Sequence, residues 1–136
     1  MSAPTTCGPH LKTGIGIIDD DHQKLLDMLG RLGIAVSEGR NRIILAFLLD
    51  DLAKFTLKHF NHEETLMRQF KYADSTRHIE EHNKLIAELI AFKKDLENGK
   101  VMITAELPAF LHDWLYTHIL ESDKKLGEAL GAMGVK

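Results

Sequence analysis

The sequence is poor in the residues that constrain small domains covalently or conformationally. Its 136 residues include one cysteine, three prolines and one tryptophan. The lone Cys7 excludes an internal disulfide, which fits a reducing compartment. The prolines stand at positions 4, 9 and 108, so the long interior between them has no proline to break a helix.

Long apolar runs are also missing. No stretch approaches the roughly 20 apolar residues of a membrane-spanning helix, and the first ten residues lack the apolar centre of a signal peptide. The formal net charge of -3 and the pI of about 6.2 disfavour binding to nucleic acid or to an anionic membrane surface. These absences predict a cytoplasmic protein without a membrane span.

Four segments have apolar residues at helical steps of three and four, and no segment alternates as a strand would. We predict helices over 17–36, 41–70, 75–97 and 103–130, after an N-terminal arm over 1–16. Short connections between long helices favour an all-α, antiparallel up-down-up-down four-helix bundle. We interpret 1–136 as a single domain, and as a monomer because the apolar stripes account for one core. The Asp19–Asp21 run is expected to be a solvated helix start. The predicted stripes include Leu25, Leu29 and Leu32, then Ile44, Leu48 and Leu52, then Leu85, Leu89 and Phe92.

Eight histidines are many for this length, and most lie where a core side chain is expected. Residues four apart share one face of a helix, so such a pair can point at one ion. Imidazole and carboxylate groups without thiolates suit iron, zinc or manganese. The candidate ligands are His22, His59, Glu63, His78, His82, His118 and Asp123.

The bundle topology predicts that these seven residues meet. They alternate between early and late positions in successive helices, and such positions lie at one end of an antiparallel bundle. Buried imidazoles and carboxylates without a partner are costly, so a common partner is expected. The step from His118 to Asp123 is the exception, because five residues turn a helix by about 140°. A bridging position for Asp123 or a π-type distortion would relieve this.

The ordered ligand pattern resembles the hemerythrin family in its single-domain bacterial form. The resemblance covers about residues 11 to 127. The matching motifs are Ile18-Asp19-x-x-His22, His59-Phe60-x-x-Glu63-Glu64-x-x-Met67, His78-x-x-x-His82, Trp114-Leu115-x-x-His118-Ile119 and the spacing from His118 to Asp123.

The resemblance implies two non-haem iron ions joined by an oxo or hydroxo bridge. O₂ would bind end-on, as a hydroperoxide, at an open position of the iron with two histidines. The implied ligands are His78, His82 and His118 for one iron, His22 and His59 for the other, and Glu63 and Asp123 as bridges. The implied apolar walls of the O₂ pocket are Leu25, Phe60, Trp114 and Leu115.

Two departures from the family pattern are visible, and neither removes a ligand. Asp21 stands where the family usually has Gln, and Ala73 where Pro is common. Asp21 is expected to alter the charge near the two-histidine iron. Three acidic residues are available to accept hydrogen bonds from ligand histidines, namely Glu64, Glu81 and Asp113. Three histidines are interpreted as ordinary, with the pocket rim as an alternative for the second: His10, His62 and His112.

The leading functional interpretation is reversible O₂ binding for carriage, storage or delivery, without enzymatic turnover. A di-iron enzyme that reduces nitric oxide or peroxide is the alternative, as is an O₂ or redox sensor. The absence of a fused segment favours a carrier over a sensor. Ferritin-like sites use more carboxylates per iron, and seven ligands exceed what a structural zinc site needs. Nitric oxide and small anions are further possible ligands of the open position.

Overall fold

The computed structural model of the protein describes residues 11–99 and 106–136. Its long helices pack as an antiparallel four-helix bundle behind a short N-terminal region, which confirms the predicted all-α fold. Within these residues, no helix is both long and apolar enough to cross a membrane. The elements are α1 (Gly16–Ser37), α2 (Arg42–Gln69), α3 (Ser75–Glu97), α4 (Glu106–His118), a π-helical segment (Ile119–Asp123) and α5 (Lys124–Ala132).

Local sequence signals account for several helix ends. The Asn41 side chain accepts a hydrogen bond from the Ile44 N–H, 3.0 Å away, and so caps the start of α2. The predicted end of α3 is confirmed, because Asn98 is the C-cap and Gly99 follows with φ of +70°. The start proposed for the fourth helix near residue 103 lies outside the described residues.

The apolar core follows the predicted stripe in α1 but not throughout α2. The buried positions in the first turns of α2 are Leu45 and Leu49, so the stripe predicted through Ile44 and Leu48 is wrong by one residue. Both stripes lead to Leu52. Ile44 and Leu52 are eight residues apart, so their side chains point about 80° apart around the helix axis. Leu45 and Leu52 are seven residues apart, and their directions differ by only about 20°.

The acidic start of α1 corrects another prediction, because only Asp20 of the three aspartates is exposed. The Asp19 carboxylate accepts hydrogen bonds from the N–H and the hydroxyl of Thr13, each at 2.8 Å. It also accepts one from the Gly14 N–H at 3.2 Å. These bonds hold the chain just before α1 against the bundle. Two apolar side chains of this segment are fully buried, Leu11 and Ile15.

Neighbouring helices are not equally close. Among the described residues, α1 packs closely against α2 and α4, and α2 packs closely against α3. The α3 and α4 helices stand further apart, and a groove lies between them at the surface. The opening leaves Leu85 and Phe92, both predicted core residues, only partly buried.

Candidate metal centre

Seven polar residues meet inside one end of the bundle, and all seven are at most 4% exposed. They come from the early part of α1, the late part of α2, the early part of α3 and the end of the fourth helical stretch. This is the alternation that the antiparallel topology predicts. The seven are the predicted candidates, His22, His59, Glu63, His78, His82, His118 and Asp123.

A π-helical segment resolves the awkward spacing between His118 and Asp123. The chain is α-helical up to His118 and π-helical over Ile119–Asp123. A π turn advances by five residues instead of four, so the two side chains come to the same face. The His118 Nε2 lies 3.0 Å from the Asp123 Oδ1. Of the two arrangements left open by the sequence, the structure therefore contains the π-type distortion.

The Asp123 carboxylate faces two sets of histidines with its two oxygens. Its Oδ2 lies 2.7 Å from the Nε2 of His22. Its Oδ1 lies 3.0 Å from the Nε2 of His78 and 3.0 Å from the Nε2 of His118. The carboxylate thus spans the space between the two sets.

Glu63 repeats this arrangement from α2. Its Oε2 lies 3.1 Å from the Nε2 of His59. Its Oε1 lies 3.0 Å from the Nε2 of His82 and 3.3 Å from the Nε2 of His78. Both carboxylates therefore turn one oxygen to a two-histidine set and the other to a three-histidine set.

The ligand atoms form two overlapping groups, in each of which all atoms lie within 4.8 Å of one another. Ligand atoms about 2.1 Å from one ion and at right angles lie about 3 Å apart, which is close to the distances seen here. One group contains three histidines and the other two, and both include Glu63 and Asp123. The three-histidine group is His78, His82 and His118, and the two-histidine group is His22 and His59.

Asp123 is hydrogen-bonded to His22 and His78, but several other buried polar atoms of these groups have no partner in hydrogen-bonding geometry. Within the described part of the chain, neither oxygen of Glu63 accepts a hydrogen bond. Three inward-facing imidazole nitrogens also have no hydrogen-bond partner there. Buried polar atoms rarely stay unsatisfied, and a cation in each group would satisfy these. The donor set therefore fits two metal ions. The three nitrogens are the Nε2 atoms of His59, His82 and His118.

Carboxylates outside the groups accept hydrogen bonds from three of the five histidines. The His82 Nδ1–H donates to Glu64 at 2.9 Å, and the His118 Nδ1–H donates to Glu81. Such bonds orient a ligand ring and strengthen its other nitrogen as a donor. Two of the three acidic candidates from the sequence thus have the expected contact. The third, Asp113, is 85% exposed on its side chain and lies beside His112 instead.

Asp21 holds the remaining outer contact and shares it between two imidazoles. Its Oδ2 accepts hydrogen bonds from the Nδ1–H of His59 at 3.0 Å and from that of His62 at 2.7 Å. The prediction of a solvated Asp21 is therefore wrong. His62 is neither fully solvated nor a core residue. Its side chain is partly exposed and is hydrogen-bonded to the buried Asp21. Its spacing of three residues from His59 was the only signal in the sequence.

The residues proposed as O₂-pocket walls occupy two different places. Phe60 stacks on the His82 ring with a centroid separation of 3.8 Å and an interplanar angle of 6°. Leu25 and Leu115 are buried in the main apolar core. Trp114 is only partly buried and lines the groove between α3 and α4. Their role as pocket walls stays a prediction.

Charges within the centre favour ionised side chains in the absence of metal. Burial opposes the imidazolium form, but Asp123 and Glu81 outweigh it and raise the pKa of His118 to about 10. Burial likewise opposes a charged His59, yet Glu63, Asp123 and Asp21 hold its pKa well above the usual value. The histidines in turn keep the pKa of Glu63 and of Asp123 well below their usual values, against the effect of burial.

These shifts predict that the metal-free protein loses stability as the pH rises from about 6.5 towards about 10. A histidine with a raised pKa stabilises the fold fully below its unfolded pKa and no longer does so above its folded pKa. Urea midpoints measured with a chelator across this range would show the fall. The metal-loaded protein is the control, because metal replaces the protons and the fall should disappear. A metal-free protein of constant stability would contradict the prediction.

The bundle and its two histidine–carboxylate groups with shared carboxylates define a protein of the hemerythrin class. A family model described as the hemerythrin HHE cation binding domain matches residues 13–130. The chain therefore belongs to the hemerythrin family, and its buried centre is a cation-binding site of the kind that could hold two metal ions.

Within that family the chain is similar to bacterial proteins. It is 33% identical to the bacteriohemerythrin of Methylococcus capsulatus over 132 residues, which cover 97% of this chain and all of the relative. It is 32% identical to the bacteriohemerythrin of Pseudomonas aeruginosa over 113 residues, covering 83% of this chain and 72% of the relative. A crystal structure of wild-type hemerythrin superposes with a TM-score of 0.81 at 34% identity, covering 85% of this chain and 88% of the other.

Proposed function

We propose that the protein binds O₂ reversibly at a non-haem di-iron centre, as a carrier, store or local supplier. The observation that carries this proposal is the pair of buried carboxylates, Glu63 and Asp123, each with one oxygen toward either histidine group. Two carboxylates shared in this way would hold two ions close together. One ion would then have one histidine fewer, which leaves room for a small ligand on that side.

The protein contributes the holding of the metals and the exclusion of water. When bound, the iron pair would supply the two electrons by which O₂ is held and then released. Phe60, Leu25 and Leu115 are 3%, 0% and 1% exposed, so the neighbourhood of the centre is dry. A dry site protects a bound oxidant from protons and from other donors. This division of roles supports binding rather than turnover.

One contact favours the second candidate, a reductive di-iron enzyme acting on nitric oxide or peroxide. The His62 side chain is 29% exposed, and its Nδ1–H donates to the buried Asp21. Asp21 also accepts from His59, so a polar path runs from the surface to the two-histidine group. Reduction consumes protons, and such a path could deliver them.

The visible spectrum of the iron-loaded protein distinguishes these functions. The protein would be reduced without air, exposed to O₂ and then returned to argon. We expect a charge-transfer band that appears with O₂ and disappears on its removal. Immediate decay to a stable diferric spectrum would favour the reductive alternative. No band in a protein shown to contain two irons would contradict O₂ binding altogether.

Leu115→Ala is expected to keep both irons but to oxidise in air several-fold faster, because the cavity admits water beside the centre. Leu115 lies one turn before His118 and is 1% exposed. Leu32→Ala is the matched control. Leu32 is also 1% exposed, but it lies in the C-terminal half of α1, ten residues beyond the ligand candidate His22. Both variants should lose about 2–5 kcal/mol of stability. Equal oxidation rates in the two variants would contradict a role for Leu115 in the pocket.

Asp21→Asn is expected to weaken metal binding at the two-histidine group by about 10–100-fold. The neutral amide no longer holds His59 with a charged acceptor. Stepwise chelator competition would separate the two ions. Glu64→Gln is the matched control, because Glu64 holds His82 of the other group. In Glu64→Gln, the ion at the three-histidine group should be the one that binds more weakly. An Asp21→Asn protein with unchanged metal affinity would contradict the role of Asp21.

A further inference from the structure

The groove between α3 and α4 has an apolar floor that no described residue of the bundle covers. It is an open groove with a volume of about 740 Å³. The rings of Phe92 and Phe110 lie 6.2 Å apart between centroids, and Phe110 is 48% exposed. Leu85 and Trp114 continue this floor towards His118. Phe110 is exposed and the other three side chains are partly buried, and a contiguous accessible apolar surface with a polar rim marks an interaction surface.

The rim of the groove is strongly acidic. Among the described residues that line it, five are carboxylates and one is a lysine, Lys84, while the inner end is formed by the ligand candidate His118. A low-dielectric groove with one sign of charge on its walls attracts the opposite sign. Three of these carboxylates form no ion pair anywhere in residues 11–99 and 106–136. The five are Glu81, Glu88, Asp95, Asp113 and Glu121, and the three without an ion pair are Glu88, Asp95 and Glu121.

The dimensions of the groove suit a helix better than a small molecule. Its α3 side runs from Glu81 to Asp95, which at the rise of an α-helix is about 21 Å. That length corresponds to about four helical turns. An amphipathic helix that lays its apolar side into a groove is a common mode of recognition. The chain's own first ten residues contain no lysine or arginine and so do not match the rim.

We propose that this groove is the docking surface for a basic amphipathic helix of another protein. The apolar side of that helix would cover Phe92, Phe110 and Trp114, and its lysines or arginines would face the acidic rim. The docking does not depend on O₂ binding. A further consequence, which rests on the proposed function, is that docking acts on the metal centre. Glu81 lies at one end of the groove and accepts the hydrogen bond of His118, so a cation placed there would compete for it.

The test uses the full-length, metal-loaded protein and a synthetic amphipathic peptide of about 14 leucines and lysines. Trp114 is the single tryptophan of the chain and lines the groove, so its fluorescence reports occupancy directly. We expect a saturable, one-to-one blue shift and protection from acrylamide quenching. A peptide with glutamates in place of the lysines should cause neither change. Equal responses to both peptides would overturn the proposal.

Two double variants with the same net charge separate local contact from general attraction. Glu88→Lys with Asp95→Lys is expected to weaken peptide binding by about tenfold or more. Asp51→Lys with Glu128→Lys, at exposed positions outside the groove, should bind much as the parent protein does. Equal weakening in both variants would show only long-range charge attraction and would overturn the proposal.

Two further measurements complete the test. Sedimentation of the protein alone, together with its Trp114 fluorescence at rising concentration, should show no self-association. A dimer that shields Trp114 would assign the groove to a second copy and overturn the proposed partner. The visible spectrum of the metal centre should shift at peptide saturation, with an unbound reference at the same ionic strength. An unchanged spectrum would overturn the coupling through Glu81, whereas loss of the O₂ response alone would bear only on the proposed function.

Discussion

Replacing Glu63 with alanine is expected to reduce the metal content from two ions per chain to one at most. Glu63 is fully buried, and its two oxygens lie 3.0 Å and 3.1 Å from histidines of different groups. Without it, the two-histidine group keeps Asp123 as its only carboxylate. The paired-iron spectrum should vanish, because the remaining bridge does not hold a second ion strongly. Metal analysis and the visible and magnetic spectra would measure both effects.

The neighbouring carboxylate provides the control for this change. Glu64→Ala removes an acidic residue one position along α2, but the hydrogen bond of Glu64 goes to the outer nitrogen of His82 and not to an inward-facing ligand atom. That variant should still bind two ions, with affinity lower by about 10–100-fold at the three-histidine group. A Glu63→Ala protein with an intact coupled di-iron spectrum would falsify the bridging assignment.

Gly127→Ala is expected to destabilise the protein by about 1–3 kcal/mol through overpacking. A methyl group at Gly127 would lie 2.4 Å from the carbonyl oxygen of Thr13 and 2.7 Å from its Cβ. Thr13 cannot easily move, because its N–H and its hydroxyl both donate to the buried Asp19. The clash would therefore fall on the contact between α5 and the segment before α1. Urea unfolding at a fixed state of metal loading would measure it.

Gly131 offers a control one turn further along the same helix. A methyl group there would have no atom of the described residues within 4 Å. Gly131→Ala should therefore be neutral or stabilise the protein by up to about 1 kcal/mol, because alanine favours the helix more than glycine does. The two substitutions are chemically identical, so their expected effects differ in sign only through the contact with Thr13. Equal effects would contradict the close packing at Gly127.

The family comparison supports a cation-binding centre, while the geometry explains why this chain needs one. Five imidazoles and two carboxylates lie in one dry end of the bundle, and several of their inward atoms have no hydrogen-bond partner in the described residues. An apolar core of similar volume would be easier to fold. The polar set is understandable when metal ions supply the missing interactions.

The sequence by itself determined the helices, their antiparallel order and the seven residues that meet. Each of these follows from local periodicity and from the alternation of early and late positions along successive helices. The spacing of His118 and Asp123 even indicated the π-helical segment as one of two solutions. Local periodicity is a strong signal because burial of one helix face is a property of consecutive residues.

Only the tertiary structure decided the contacts that depend on how the helices rotate and separate. Asp21 and His62 stand on different helices, so their contact depends on how α1 and α2 are rotated about their axes. The core position of Leu45 instead of Ile44 depends on the same rotation. The groove exists because α3 and α4 stand apart, although their side chains have the same helical pattern as the rest of the core. Sequence periodicity specifies which face of a helix is apolar, but the packing of all helices together sets what that face meets.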